Sequence, residues 1–284
     1  MGFLYLILSV LCSLVIVHLL KVVKYRQARM LPVLTVNYFV ATLVASISSL
    51  GSVTSPVLPL WLILLMGIAG ALFILNFAIY GSSVNRNGVG VSVTAMRLSL
   101  VIPVLVSIIG YREQINFLIT AGLIGVFIAL SLLSRVHHHK KEADWKPVLL
   151  ILLFLGTGFS DAALKIFREN GAGFINQDLF MAGVFGTAFL IGIAGIIWQR
   201  QYQIRLNEIG LGVMVGIPNL YSSIFMIMTL KYIGGAVAFS IVNILIVAGG
   251  TILGYVYWKD NITKRQFWGI TVGMVSIVLM IIGR

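Results

Sequence analysis

Ten long apolar runs, separated by short polar connections, constrain the fold of this chain more than any other feature. Most of the runs contain the roughly seventeen or more residues that an α-helix needs to cross the hydrocarbon layer of a bilayer. The alternation of apolar and polar residues that indicates half-buried strands is absent. The sequence therefore predicts an all-α integral membrane protein with ten transmembrane helices. The runs cover residues 2–20, 31–50, 58–80, 89–109, 117–133, 147–164, 179–198, 209–230, 236–257 and 267–282.

The composition agrees with a membrane location and argues against nucleic acid as a partner. Hydrophobic residues make up 60% of the 284 residues and charged residues only 10%, with a mean hydropathy of +1.05. The formal net charge is +12, but the 20 Lys and Arg are scattered between the apolar runs and do not form one basic face. We therefore expect these basic residues to contact anionic lipid headgroups.

The second half of the chain repeats the first. A shift of 147 residues places segment 111–115 (YREQI) on segment 258–262 (WKDNI), and the same shift pairs Gly88 with Gly235. We interpret this as a duplicated five-helix unit. The predicted division is a first repeat at 1–134, a hydrophilic connecting loop at 135–146 and a second repeat at 147–284.

An odd number of helices in each repeat determines how the repeats are oriented. The second copy must enter the membrane from the opposite side, which gives two inverted repeats, the architecture of alternating-access transporters. Of the 20 Lys and Arg, fourteen lie on the connections of one face and five on the other face, which also carries both termini. The positive-inside rule therefore predicts that both termini lie outside the cytoplasm.

Acidic residues and glycines at matching places in the two repeats suggest a family. Glu113 and Asp260 open the fifth and tenth predicted helices, and each is followed nine residues later by a glycine, Gly122 or Gly269. With the five-plus-five plan, this resembles the EamA group of the drug/metabolite transporter superfamily. The resemblance covers essentially the whole chain and is strongest over residues 88–113, which include Ser99 and Pro103.

The resemblance implies a location and a broad activity. Proteins of this family are carriers of the bacterial inner membrane for small metabolites, commonly exporters of amino acids or related solutes. The family places both termini in the cytoplasm, whereas the distribution of Lys and Arg in this chain predicts the opposite orientation.

Arg97 lies near the middle of the fourth apolar run, where a charge is costly and is a candidate for function. Thr94 and Gly90 precede it at helical spacing and give its face of the helix a small and polar character. One hypothesis is that the guanidinium binds a carboxylate or other anionic group of a substrate. The other is that it forms an internal ion pair between two helices.

Asp161 is the only acidic residue deep inside an apolar run. Lys165 follows one turn later on the same helical face, and this spacing favours a local ion pair. The alternatives are that Asp161 is the partner of Arg97, or a protonatable group that couples transport to the proton gradient. His18, near the end of the first run, is expected to be a hydrogen-bonded packing residue, with a proton relay as the alternative.

Asparagines within the predicted spans could bind a solute or bridge helices. They are Asn37, Asn76, Asn219 and Asn243. Under the 147-residue shift, Asn243 falls beside the position equivalent to Arg97, so we expect the fourth and ninth helices to face each other and each to bring one strongly polar side chain near the middle of the membrane. Bridging is favoured for any single amide, and at least one is expected to line a substrate cavity.

Two tyrosines and two prolines complete the candidate set. Tyr80 and Tyr221 are candidates for an aromatic wall of the cavity. Pro103 and Pro218 fall within spans, where a proline removes a backbone donor and bends the helix. Such a bend could act as a gate, although a static kink is the commoner case.

The sequence lacks the signatures of an enzyme. It has no glycine-rich phosphate loop, no acidic cluster for a divalent metal and no compact nucleophile arrangement, so we expect no catalytic activity, cofactor or metal. The prediction is a secondary transporter that moves a small metabolite by alternating access, in the direction of efflux. The alternatives are a permease for neutral or cationic compounds with proton coupling at Asp161, and a membrane scaffold that transports nothing.

Overall fold

The structure is a computed structural model that describes residues 1–50, 58–87, 89–133, 146–259 and 263–284. The predicted loop at 135–146, except Lys146, lies outside the described residues, as do Gly88 and Asp260. Within these ranges the secondary structure is helical, which confirms the predicted all-α class. The helices are α1 (Gly2–Tyr25), α2 (Met30–Ser48), α3 (Leu60–Asn87), α4 (Val89–Leu98), α5 (Val101–Leu105), α6 (Phe117–Leu133), α7 (Pro147–Ile166), α8 (Gln177–Trp198), α9 (Leu206–Leu230), α10 (Gly235–Trp258) and α11 (Lys264–Ile282).

The apolar character of these helices matches the thickness of a bilayer. In the described part of the chain, nine helical stretches are long and apolar enough to cross a membrane, and α6, with 17 residues, is slightly shorter. The fold is therefore compatible with a multi-pass membrane protein. Several helices continue past the ends of their predicted apolar runs. The run of α3, for example, ends at residue 80, whereas the helix itself ends at Asn87. A helix keeps its backbone hydrogen bonds when it leaves the hydrocarbon layer, so hydropathy alone does not mark its end.

The fourth predicted span is broken into three pieces, because of Pro103. After α4, a turn at 99–100 leads into the short helix α5, which is followed by a π-helical turn at Val106–Gly110. Pro103 has no backbone N–H to donate to the carbonyl of Ser99, and this carbonyl instead accepts a bond of 2.9 Å from the Ile102 N–H. Pro218 differs, since α9 continues through it without interruption.

The helices form two compact units, each built from both halves of the sequence. Unit 1 comprises Met1–Leu75 and Ala163–Tyr232. In this unit α1 packs against α9, and α2 packs against α8 and α9. Glycines bring these helices close together; a Cβ atom added at Gly192 would lie 2.6 Å from Thr35 Oγ1, and one at Gly212 would lie 2.6 Å from Val36 Cβ. Small residues at contacts are how helices associate tightly in lipid.

Unit 2 comprises Asn76–Ala162 and Ile233–Arg284, and its most extensive contact joins α6 and α11. A Cβ atom added at Gly122 would lie 2.5 Å from Met280 Cγ, and one at Gly269 would lie 2.8 Å from Leu133 Cγ. Residues further along α6 therefore contact residues earlier in α11, so the two helices are antiparallel.

The α6–α11 contact is also reciprocal under the shift of 147 residues. The shift carries Gly122 to Gly269 and Leu133 to Met280. It therefore converts the contact of Gly122 with Met280 into the contact of Gly269 with Leu133, because the two contacts join the same two pairs of equivalent positions. A second matched feature is backbone conformation. Arg112 and Lys259, which the shift also pairs, are both in the left-handed region, with φ of 52° and 56°.

Candidate functional site

Unit 2 brings together polar side chains from four helices. Asn76 and Tyr80 lie on α3, Arg97 on α4, Asp161 on α7 and Asn243 on α10. The first two are one helical turn apart and so share a face of α3. All five lie within stretches that are long and apolar enough to span a membrane. This cluster is the candidate site.

Arg97 and Asn243 are joined directly. Arg97 Nη1 donates a hydrogen bond of 3.3 Å to Asn243 Oδ1. Asn243 Nδ2 in turn donates to the carbonyl of Phe239, one turn earlier on α10, at 3.1 Å. That second bond uses the amide nitrogen and leaves the amide oxygen facing the guanidinium. Asn243 therefore orients Arg97 without neutralising its charge.

Asp161 and Arg97 attract each other electrostatically but do not form a direct ion pair. Tyr80 also lies near Arg97. Within the described residues, the Asp161 carboxylate accepts no hydrogen bond. Both charged side chains are half-buried, so neither is sealed into the packing of unit 2. Two opposite charges within the spans are thus near each other and incompletely satisfied.

Asn76 adds a buried acceptor to this cluster. Its Nδ2 donates to Ser160 Oγ at 3.3 Å, while its Oδ1 has no partner within the described residues, although the side chain is only 7% exposed. Gly156 makes room for this amide, since a Cβ atom there would collide with Asn76 Oδ1. Thr157, one turn before Asp161, also has a hydroxyl that lacks a partner in the described structure.

Sequence reasoning did not single out Ser160 or Thr157 for the site. The available signal was the spacing on α7, where Thr157 and Asp161 share one face and Gly156 and Ser160 share another. Thr94, a predicted site residue, lies on α4 three residues before Arg97 and is half-buried. Within the described residues, no group of three His, Cys, Asp or Glu side chains could hold a metal ion.

Glu113 has a different position from the one predicted. It does not begin a helix of its own, because α6 starts only at Phe117. Its carboxylate oxygens instead accept bonds of 2.7 Å from Gly235 N–H and 3.0 Å from Ala236 N–H, in the first turn of α10. The first N–H groups of a helix have no partner within the helix and carry a positive partial charge, which a carboxylate satisfies. Glu113 therefore anchors the helix that carries Asn243.

The other predicted site residues lie in unit 1. They are His18, Lys165, Pro218, Asn219 and Tyr221. The predicted local pair between Asp161 and Lys165 is wrong, because Lys165 Nζ forms its ion pair with Glu169, one turn further along the chain. Glu169 lies in the π-helical turn after α7 and is exposed, so an ion pair there requires less desolvation than one deep in the span. His18 is half-buried in α1.

Asn219 and Tyr221 make contacts that stabilise the packing of unit 1. Asn219 Nδ2 donates to Asn37 Oδ1 at 3.2 Å, which links α9 to α2. The Tyr221 ring packs against the Phe225 ring, with centroids 5.7 Å apart. Asn219 therefore bridges two helices, which is one of the two roles that the sequence predicted for these asparagines.

Glu208, a charged residue of unit 1, is fully buried and accepts several hydrogen bonds. Its carboxylate accepts from Arg29 Nε at 2.8 Å and Nη2 at 2.7 Å, and from the backbone N–H groups of Arg29 and Arg205. The hydrogen bond to Glu208 raises the pKa of the Arg29 guanidinium above its ordinary value. This pair fastens the connection between α1 and α2 to the beginning of α9.

The fold and the cluster are compatible with a multi-pass membrane protein that carries charged groups within its spans. No protein-family model matches the chain. An uncharacterized protein of Haemophilus influenzae is 27% identical over 205 residues, which are 71% of this chain and 69% of that protein. A protein of known crystal structure is 12% identical and aligns over 100% of this chain and 97% of its own, with a TM-score of 0.75. This likeness shows a shared fold.

Proposed function

We propose that this protein is a secondary transporter that moves a small organic solute across the membrane by alternating access, in the direction of efflux. In this proposal Arg97 binds an anionic group of the solute. The observation that carries the proposal is the geometry of Arg97 and Asp161, two opposite charges inside the spans of one unit without a direct ion pair. Charged groups at membrane depth are costly and commonly belong to substrate or ion pathways.

The same geometry argues against a scaffold that transports nothing. A scaffold needs only apolar and small residues to pack its helices in lipid. A charge retained for structure alone would be expected to make a close ion pair, as Lys165 does with Glu169. Arg97 instead uses one neutral amide, that of Asn243, as its hydrogen-bond partner.

The matched features of unit 2 support a duplicated and inverted plan. The reciprocal, antiparallel contact of α6 with α11 is what a twofold axis between two inverted copies would produce. The shared left-handed backbone at Arg112 and Lys259 agrees with a duplication. Inverted repeats commonly place the substrate between them near the middle of the membrane, and the plan is the one expected from the resemblance to EamA carriers.

Flux through reconstituted protein tests the proposal. The purified full-length chain would be reconstituted into liposomes loaded with a defined mixture of amino acids, organic acids and nucleosides, and release would be followed by mass spectrometry. We expect saturable release of a subset of these solutes compared with empty liposomes. Arg97→Ala should lower the initial rate for an anionic or zwitterionic solute about a hundredfold, because a charge-assisted bond contributes up to about 3 kcal/mol.

Two further variants separate loss of binding from loss of folding. Arg97→Lys keeps the charge but not the planar fork, so it should retain part of the flux. Arg168→Ala removes another half-buried arginine, near the end of α7 in unit 1, and should leave the flux unchanged. Unchanged flux in Arg97→Ala would remove Arg97 from the site, and no release of any solute by the wild type would contradict the proposal of transport.

The alternative within transport is a permease for neutral or cationic compounds in which Asp161 carries a coupling proton. This alternative is consistent with the described structure, in which the Asp161 carboxylate accepts no hydrogen bond and so has its oxygens available for a proton. The same liposomes, with an imposed pH gradient, distinguish the two. Flux of a cation that follows the gradient in the wild type and ignores it in Asp161→Asn would support the alternative, whereas flux unaffected by the gradient in both would reject it.

A further inference from the structure

The first half of α10 is enclosed on all sides by unit 2. Every residue from 235 to 244 is buried, and the helix packs against α5, α6 and the π-helical turn at Val106–Gly110. The first N–H groups of a helix have no partner within the helix, and at a buried helix end the protein has to supply one. Asn243, the hydrogen-bond partner of Arg97, lies in this enclosed half. The group that satisfies the beginning of α10 therefore also influences where Asn243 lies.

Glu113 is that group, and it comes from the connection that follows the fourth span. Its carboxylate accepts from the Gly235 N–H at 2.7 Å and from the Ala236 N–H at 3.0 Å. Gly234 leaves room for the carboxylate, since a Cβ atom there would lie 2.9 Å from Glu113 Oε2. The positive partial charge at the helix N-terminus strengthens both bonds. Two bonds from one carboxylate fix both the position and the direction of the first turn of α10.

The chain before Glu113 is folded back onto the end of the fourth span. The Glu113 N–H donates to the carbonyl of Ser107 at 3.2 Å, and the Tyr111 N–H donates to the carbonyl of Val106 at 3.2 Å. Between them, Arg112 has a φ of 52°, in a region that residues other than glycine adopt infrequently. These bonds attach the connection to the π-helical turn. The carboxylate that holds α10 is therefore itself held by the fourth span.

Two contacts thus join the fourth span to α10 at different depths. One is the bond of Glu113 to the first turn of α10, and the other is the bond of 3.3 Å between Arg97 and Asn243. Ala236 and Asn243 are seven residues apart, which places them on the same face of the helix and about 10 Å apart along its axis. A tilt or shift at the beginning of α10 would therefore move Asn243 relative to Arg97.

We propose that Glu113 is a positioning residue of the solute site. By holding the first turn of α10 to the end of the fourth span, it keeps Asn243 at the distance at which that amide orients Arg97. Glu113 itself does not contact the solute. This inference rests on the proposed transport function and adds to it a residue outside the cluster of candidate site residues.

A double-variant cycle in the liposome flux experiment tests the proposal. Glu113→Ala should lower the initial rate about tenfold, as Asn243→Ala should, because it acts through that amide. The double variant Glu113→Ala/Asn243→Ala should be no slower than Asn243→Ala alone. Glu113→Gln keeps one oxygen that can accept from α10, so it should recover part of the rate. If Glu113 only stabilised the fold, its loss would add to that of Asn243→Ala, and this result would overturn the proposal.

Asn176→Ala is the matched control, because it also removes the cap of a helix. Asn176 Oδ1 accepts from the Leu179 N–H at 2.8 Å in the first turn of α8, in unit 1. Both Asn176→Ala and Glu113→Ala should lower the midpoint of thermal unfolding. Glu113→Ala should also lower the flux, whereas Asn176→Ala should keep the rate of the wild type. Equal loss of flux in the two variants would show that flux follows stability alone and would overturn the proposal.

Hydrogen exchange of the purified protein tests the position of α10 without any solute. In Glu113→Ala, exchange should rise from the first turn of α10 as far as Asn243, because the enclosed half of the helix loses its fixed end. In Asn176→Ala, it should rise only in the first turn of α8. A rise confined to the first turn of α10 would overturn the proposal, as would a wild-type rate of flux in Glu113→Ala.

The two measurements separate this inference from the transport proposal. If the wild type released no solute, the transport proposal would fail, and the exchange pattern would still decide whether Glu113 holds Asn243 in place. If the wild type transported a solute and Glu113→Ala transported it equally well, the transport proposal would stand and the positioning role of Glu113 would fall.

Discussion

The two units differ in how they treat ionised side chains. In unit 1, Glu208 is fully buried and its carboxylate is fully engaged by Arg29 and by backbone N–H groups. Lys165, which is 2% exposed, pairs with Glu169 at the end of the same helix. Each charge therefore has a close partner, and the bonds fasten helix ends and connections. These pairs need no ligand to be stable.

In unit 2, the two charged side chains of the candidate site, Arg97 and Asp161, form no direct ion pair. Arg97 bonds to the neutral amide of Asn243, and Asp161 makes no hydrogen bond within the described structure. Both residues are half-buried, whereas Glu208 and Lys165 are buried. The comparison teaches that burial of charge does not by itself indicate function. The indication is the combination of membrane depth, partial exposure and unused bonding capacity.

The largest effect that tests this comparison is expected from Glu208→Ala. The change removes hydrogen bonds from a guanidinium and from two backbone N–H groups, so it should cost about 3 kcal/mol of stability. The midpoint of thermal unfolding in detergent should fall clearly, and the solute affinity of protein that remains folded should not change. Glu208→Gln keeps an oxygen that can accept from the backbone N–H groups of Arg29 and Arg205, so its unfolding midpoint should lie between those of the alanine variant and the wild type.

Glu169→Gln is the matched control for Glu208. It also removes an ion pair in unit 1, but Glu169 is the exposed end of that pair, and glutamine keeps a side-chain oxygen that can accept from Lys165 Nζ. Its unfolding midpoint should lie between that of Glu208→Ala and that of the wild type. If Glu208→Ala were as stable as Glu169→Gln, the fully bonded charges of unit 1 would not be structural and the contrast between the units would fail.

A smaller effect is expected from a pair of asparagines, one in each unit. Asn219→Ala removes a bridge to Asn37 and should cost about 0.6 kcal/mol of stability, with no change in flux. Asn243→Ala removes the group that orients Arg97 and should lower the rate of solute flux about tenfold, with a similarly small change in stability. Liposome flux and thermal unfolding of both variants check this prediction. Equal loss of flux in the two variants would contradict it.

Much of the fold could be predicted from the sequence because the bilayer imposes a simple rule. A helix must be apolar for about twenty residues, and this rule located the helices of the described structure. The missing donor of a proline predicted a bend at Pro103 and at Pro218; the fourth span is interrupted just before Pro103, whereas α9 continues through Pro218. The proposed repeat predicted that the fourth and ninth spans face each other, but it did not predict the hydrogen bond that joins Arg97 to Asn243.

Partners distant in the sequence were not predictable in the same way. Glu113 was expected to open its own helix, yet it binds the first N–H groups of α10, which is 122 residues away. Lys165 has an acidic residue one turn before it and another one turn after it, and helical spacing alone does not choose between them. The choice depends on where water can reach the helix, which is a property of the tertiary structure.

The smallest expected effect is the coupling between Arg97 and Asp161 in the absence of solute. If the two residues formed a structural ion pair, each single variant would leave an unpaired charge, and the double variant Arg97→Gln/Asp161→Asn would recover stability. Since they form no direct ion pair, we expect their coupling energy to be smaller than that of the direct pair between Lys165 and Glu169. The Lys165→Gln/Glu169→Gln cycle in unit 1, where the pair is direct, provides the comparison.

Solute then becomes the decisive variable in the same experiment. With a saturating transported solute that carries an anionic group, the wild type should gain stability by mass action, and Arg97→Gln should lose most of that gain. The double variant should gain no more than Arg97→Gln, because both lack the guanidinium that binds the solute. A strong coupling without solute, with no change when solute is added, would make Asp161 the structural partner of Arg97 and would move the binding site elsewhere.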